Sequence, residues 1–148
     1  MATTYDPENY LNFQLLGSVY QAVGALGVKD AYDKAIVAYQ TASSLNPLNP
    51  GLKLSIAGVS FIDGKVQDAK DYANQALSLK PDYSDALVTL SQIAKSEGNN
   101  SLALSYAQSA LSLSPSDQNL IQYVNSLGTA APTTSTPTTS PTSTKAKK

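Results

Sequence analysis

Ala76-Leu77-Ser78-Leu79-Lys80-Pro81 returns 34 residues later as Ala110-Leu111-Ser112-Leu113-Ser114-Pro115. An earlier copy, Ala42-Ser43-Ser44-Leu45-Asn46-Pro47, precedes it by the same 34 residues. At that offset Gly64 also pairs with Gly98, Ala69 with Ala103, Tyr72 with Tyr106 and Ala73 with Ala107. Pro cannot continue a helix, so a fixed period closed by Pro predicts stacked helix–turn–helix units. The expected fold class is all-α, a solenoid of three such units with an end helix.

Taken in order, Asp6-Pro7-Glu8 reads as a helix start, with Asp to cap, Pro at the first position and Glu at the positive end of the dipole. The apolar stripe Tyr10, Phe13, Leu16, Val19, Tyr20, Val23 then has helical spacing. The stretch Gly24 to Lys29 is expected to loosen this helix and Gly27 to end it. A second helix is predicted over about 30–44, turning Ala31, Ala35, Ile36, Ala38, Tyr39 and Ala42 inward. Pro47 and Pro50 break the chain. Further pairs are predicted at 51–63 with 65–79, and at 84–97 with 100–114, split by Gly64 and Gly98. Residues 116–127 supply the end helix that a solenoid needs to cover its last unit. The repeats thus span about 6–47, 50–81 and 84–115 within a domain of 1–128. Positions 132–144 are Pro, Thr or Ser without exception, so 129–148 reads as a disordered tail.

Composition narrows the chemistry. The charged share is 14%, against roughly 25% in a typical domain. The acidic residues all lie before residue 118, while Lys145, Lys147 and Lys148 form a small basic tip. The absence of arginine and the mildly acidic body argue against nucleic acid as a partner. With neither cysteine nor histidine, thiolate nucleophiles, Cys/His zinc sites and imidazole bases are excluded. No catalytic constellation appears. The expectation is a non-enzymatic chain with no cofactor, no metal and no small-molecule substrate. No apolar run suits a membrane span and Met1–Asp6 has no signal-peptide character, so the chain as given reads as soluble.

The units resemble the tetratricopeptide repeat (TPR) family. In unit one Phe13-x-x-Leu16-Gly17-x-x-Tyr20 matches the signature of the first helix, and Ala35, Tyr39, Ala42 and Pro47 match the second. The same slots hold Lys53, Ile56, Ala57, Ser60, Ala69, Ala73, Ala76 and Pro81 in unit two. Unit three has Leu87, Leu90, Ser91, Ala94, Ala103, Ala107, Ala110 and Pro115. Lys53 departs from the pattern, and unit one carries six extra residues between Tyr20 and Ala35.

That resemblance implies a right-handed superhelix whose concave face, lined by the first helix of each unit, holds a peptide or a partner protein's surface. Carried over, the groove positions are Leu11, Gln14, Ser18 and Gln21, then Leu54, Gly58 and Phe61, then Asp85, Val88, Gln92 and Lys95. Leu54 and Phe61 are expected on one open face two turns apart. The family's carboxylate clamp needs Lys and Arg with Asn, and only Lys95 is basic here, so an acidic-tail clamp is not expected.

The opening Asp6-to-Phe13 motif, the extended first turn and the Ser/Thr/Pro tail also resemble C-terminal repeat regions of bacterial polytopic membrane proteins similar to O-antigen ligases. By that resemblance the chain is an extracytoplasmic accessory domain attached to a membrane-bound glycan-assembly protein. Self-association through Leu11 and Leu54 is a third reading. The nine tyrosines read as packing residues at helical spacing, and Asp30/Asp33 and Asp68/Asp71 as solvated faces. Asn99-Asn100-Ser101 is a formal glycosylation sequon.

Overall fold

The structure, a computed structural model, describes residues 9–129. The expected Asp6-Pro7-Glu8 start and the tail from residue 130 lie outside the described residues. Within them, α1 (Tyr10–Ala25) is capped by Asn9, whose Oδ1 accepts from the Leu11 N–H at 3.0 Å. Next come α2 (Ala31–Leu45), α3 (Pro50–Ile62) and α4 (Val66–Leu79). They are followed by α5 (Ser84–Ser96), α6 (Asn100–Leu113) and α7 (Gln118–Gly128).

The breaks fall where residue chemistry places them. Asn49 caps α3 by accepting from Gly51 N–H at 2.9 Å, with Pro50 at the first helical position, where its missing donor costs nothing. Asn99 caps α6, and Asp117 caps α7 through the N–H groups of Asn119 and Leu120. The three hairpin turns each carry a glycine at positive φ: +82° at Gly27, +80° at Gly64 and +77° at Gly98. A side chain there would cost about 1–2 kcal/mol. The longer first turn adds a residue of the same hand, Asp30, at φ 58°.

Helices adjacent in sequence pack on one another from α1 to α7, most extensively within the three hairpins, and α3 also touches α5. Small side chains make this possible: Ala35, Ala42, Ala57, Ala69, Ala73, Ala76, Ala103, Ala107 and Ala110 are all fully buried. Three apolar clusters follow one another along the stack. The first joins Ala35, Ile36, Tyr39 and Ala42 of α2 to Leu52, Ile56 and Val59 of α3. The second joins Ala57 and Ala73 to Leu90, and the third joins Ala94, Ala103 and Ala107 to Leu127 of the end helix. A fully buried Leu or Ile contributes about 1.5–3 kcal/mol. The stack is therefore held by its junctions, and the described residues form an all-α repeat solenoid.

One reading of the first hairpin is refined. α1 ends at Ala25, inside the expected Gly24-to-Lys29 stretch, but Gly24 itself is a packing position: a Cβ there would meet the Tyr32 ring at 2.7 Å, so its bareness lets α2 close on α1. Gly17 does the same for Tyr39, at 2.8 Å. Seven of the tyrosines are packing residues, as their spacing predicts: Tyr39 is buried, and Tyr10, Tyr20, Tyr32, Tyr72, Tyr106 and Tyr123 lie against the clusters, while the half-buried Tyr83 has its ring 4.9 Å from the Lys80 ammonium. Tyr5 lies outside the described residues. Lys53, at the slot that departs from the family pattern, sets its ammonium 5.9 Å from the Tyr72 ring.

Candidate partner-binding surface

Shared clefts put the first helices of successive hairpins side by side. Ser18, Gln21, Ala22 and Ala25 of α1 line one with Tyr32 and Ile62, the last residue of α3. At the other end Ser84, Asp85, Val88 and Gln92 of α5 line another with Asp117, Asn119, Leu120 and Tyr123 at α7. With α3 touching α5 between these two clefts, α1, α3, α5 and α7 follow one another along one side of the stack.

On α1 the stripe Leu11, Leu15, Ser18, Ala22, Ala25 keeps one side of the helix, since steps of three and four residues return to the same face. Leu11, Gln14, Leu15 and Ser18 line a cleft of about 280 Å³ against Tyr39. It continues through Ser18 into the cleft of about 370 Å³ that ends at Ile62. Leu15 is 66% exposed and Ile62 55%. Below the stripe, Tyr39 donates its hydroxyl proton to Gln21 Oε1 at 3.2 Å, and burial raises its pKa.

The sequence-predicted positions divide into three groups. Leu11, Gln14, Ser18 and Gln21 come together on α1, and Asp85, Val88 and Gln92 come together on α5. The middle group is placed differently from the expectation of an open pair. Leu54 is half-buried against the Ala57–Ala73–Leu90 cluster, so the junction takes up much of its surface, and Phe61 is half-buried too. Gly58 leaves open space on α3, because a Cβ there would meet nothing within 4 Å. Lys95 holds its ammonium 5.6 Å from the Tyr123 ring.

Sequence reasoning missed Leu15, Ile62 and the α7 residues Asp117, Asn119 and Tyr123. Leu15 and Ile62 stand next to transferred positions, and an apolar residue beside a transferred slot was the available signal. The α7 residues follow from continuing the 34-residue register past the third unit, which makes α7 the first helix of an incomplete fourth one.

The electrostatics of the far end are acidic, with Asp85 and Asp117 on either side of the cleft. Nearby Tyr83 has its pKa raised by burial, then by the Asp85 charge. Among the described residues no cluster of His, Cys, Asp and Glu could hold a metal ion, and no helix is long and apolar enough to cross a membrane. Asp30, Asp33, Asp68 and Asp71 are exposed, as expected of solvated faces. Asp33 instead pairs with Lys65, which also holds Asp63. The Asn99 side chain of the sequon is engaged in capping α6.

Comparison with known proteins agrees with this fold. Residues 84–117 match the family model described as tetratricopeptide repeat. The first TPR of Spaghetti (RPAP3), solved bound to the HSP90 peptide SRMEEVD, superposes with a TM-score of 0.71 at 21% identity, over 86% of this chain and 96% of that one. A thermophilic TPR protein from Thermus thermophilus gives a TM-score of 0.74 at 24% identity, over 82% of this chain and 64% of that one. The Sgt2 TPR domain from Aspergillus fumigatus gives 0.70 at 19% identity, over 80% and 76%. No curated protein matches the chain.

Proposed function

We propose that this chain of tetratricopeptide repeats is a non-enzymatic interaction scaffold that holds a peptide, or a segment of a partner protein, along the α1–α3–α5–α7 face. The observation that carries the reading is the α1 stripe. Leu11 and Leu15 stay exposed beside Gln14 and Ser18 although the same helix buries Gly17 and Gly24 on its other side. An apolar patch rimmed by polar groups at the mouth of a groove is a recurrent mark of a protein contact.

The face also suggests the partner's chemistry. An apolar side chain suits the end at Leu11, Leu15 and Ile62. Gln92 and Asn119 supply hydrogen-bonding groups, and Asp85 and Asp117 favour a cation at the far end. The peptide bound to the Spaghetti repeat is acidic. An acidic tail would meet like charge here, with Lys95 already drawn to Tyr123. Affinity in the micromolar range, about −8 kcal/mol, is expected of one short segment.

The test is selection from a phage-displayed random-peptide library on the immobilised chain, followed by fluorescence polarisation of the enriched peptides. Enriched sequences are expected to pair an apolar residue with a basic one, and to lose binding to Leu15→Asp and Ile62→Asp. Peptides held equally well by both variants would remove function from this face.

A further inference from the structure

The first hairpin exposes a second apolar surface, away from the groove, and the repeat register says what kind of surface it is. Ile56 of α3 and Leu90 of α5 occupy one slot, and both are buried in junctions with the preceding hairpin. The same slot in α1 holds Leu16, 42% exposed, and one turn on Val19 is open where Val59 and Ile93 are fully buried. The chain thus keeps junction residues where no described helix precedes them.

The second helix agrees. Tyr72 and Tyr106 share a slot and pack against the first and second clusters. In α2 that slot holds Ala38, and a cleft of about 380 Å³ opens over it between Phe13, Leu16, Tyr20 and Val37. Val37 is 61% exposed, at a slot filled in the sister units by the polar, exposed Asp71 and Ser105.

We infer that this N-terminal face is a self-association surface, on which a second copy of the chain docks head to head. Two observations choose the occupant. The opposite end of the stack cannot serve, because α7 turns Gln118, Asn119, Gln122 and Asn125 outward. Head-to-tail stacking would press apolar side chains on polar ones that keep their water. The rim of the N-terminal cleft carries adjacent opposite charges, Asp33 and Lys34, both exposed. About a two-fold axis each copy's Asp33 faces its partner's Lys34, the self-complementarity that an isologous interface requires. Asp33 already holds Lys65, and Lys34 sits 5.9 Å from the Tyr20 ring, so both are positioned at the rim before docking. Pairing of like ends closes as a dimer and does not propagate.

Sedimentation equilibrium of the full chain tests this directly. The expected result is a mass rising to twice the monomer across the micromolar range. Val37→Lys, at a slot the sister units already fill with polar residues, should fold normally by circular dichroism and weaken dimerisation by about tenfold or more, since it buries an unpaired charge. The chain has no cysteine, which allows a second readout. Val37→Cys should cross-link between copies with a short bis-maleimide, whereas Gln122→Cys on α7 should not. A monomer at every concentration would overturn the proposal and leave a helix of a longer chain as the occupant. A dimer indifferent to Val37→Lys, or equal cross-linking from both cysteines, would overturn it as well. Peptide binding at Leu15 is untouched by Val37→Lys, so the two readings fail separately.

Discussion

The two ends of this solenoid are built from the same repeat and finished in opposite ways. At the C-terminal end α7 lays Leu120 and Leu127 inward and turns amides outward. Tyr123 fixes it there: the Ser91 hydroxyl donates to the Ala103 carbonyl at 2.6 Å and also pairs with the Tyr123 hydroxyl at 3.1 Å. At the N-terminal end α1 is apolar on several sides, with Leu11, Leu15, Leu16 and Val19 all exposed. The difference teaches that a slot's residue type does not fix its burial. Leu16 and Ile56 are equivalent in sequence, and only the presence of a preceding hairpin separates them.

That contrast is broken or sharpened by substitution. Ile56→Ala empties a fully buried position and is expected to cost about 2–5 kcal/mol of unfolding free energy. Leu16→Ala, at the same slot, should cost less than about 1 kcal/mol in dilute monomer. Equal losses in urea titrations would show that the N-terminal face is covered within the single chain. Next in size, Gly17→Ala drives a methyl into the Tyr39 ring and should cost about 1–3 kcal/mol. Its near-ultraviolet dichroism should change as Tyr39 moves; an unchanged spectrum and stability would mean that α1 docks loosely.

At the capped end, Asp117→Ala removes the acceptor for two α7 amides and should cost about 1 kcal/mol. Amide exchange should speed up in α7 while α1 is unaffected. The smallest effects come from alkaline pH. Burial raises the Tyr39 pKa, so the unfolded chain loses this proton first, and stability present below pH 10.0 falls as pH climbs above it. Lys65, raised chiefly by its hydrogen bonds to Asp33 and then Asp63, likewise contributes below 10.5 and is lost above it. Its contribution is small, because the Lys65 and Asp33 side chains are more than a third exposed. Tyr39→Phe should therefore shift the alkaline unfolding limb upward more than Lys65→Met does. The reverse order would place the alkaline weakness at the ion pairs.

Most of the helical order was legible because its signals are local. Pro47, Pro50, Pro81 and Pro115 forbid continuation, Gly64 and Gly98 supply the positive φ of each turn, and Asn49, Asn99 and Asp117 each cap the helix after them. The candidate face was legible only in part. The α1 and α5 positions transfer by register, but Leu54 is half-buried rather than open, since its side chain packs against the Ala73–Leu90 junction. The part played by α7 was hidden because an end helix reads as a cover rather than as a lining. The helix end near Gly24 was legible, but the packing role of Gly24 was not, because a glycine in a helix looks like a weakness until the ring of Tyr32 is seen against it.

The sequence by itself determined the period, the all-α class, the turns and the absence of imidazole and thiol chemistry, since each depends on residue identity or on neighbours a few positions away. Which apolar side chains are core and which are surface was decided only by the tertiary structure. Burial is a relation between hairpins, so Leu16 and Ile56 part company according to what stands in front of them.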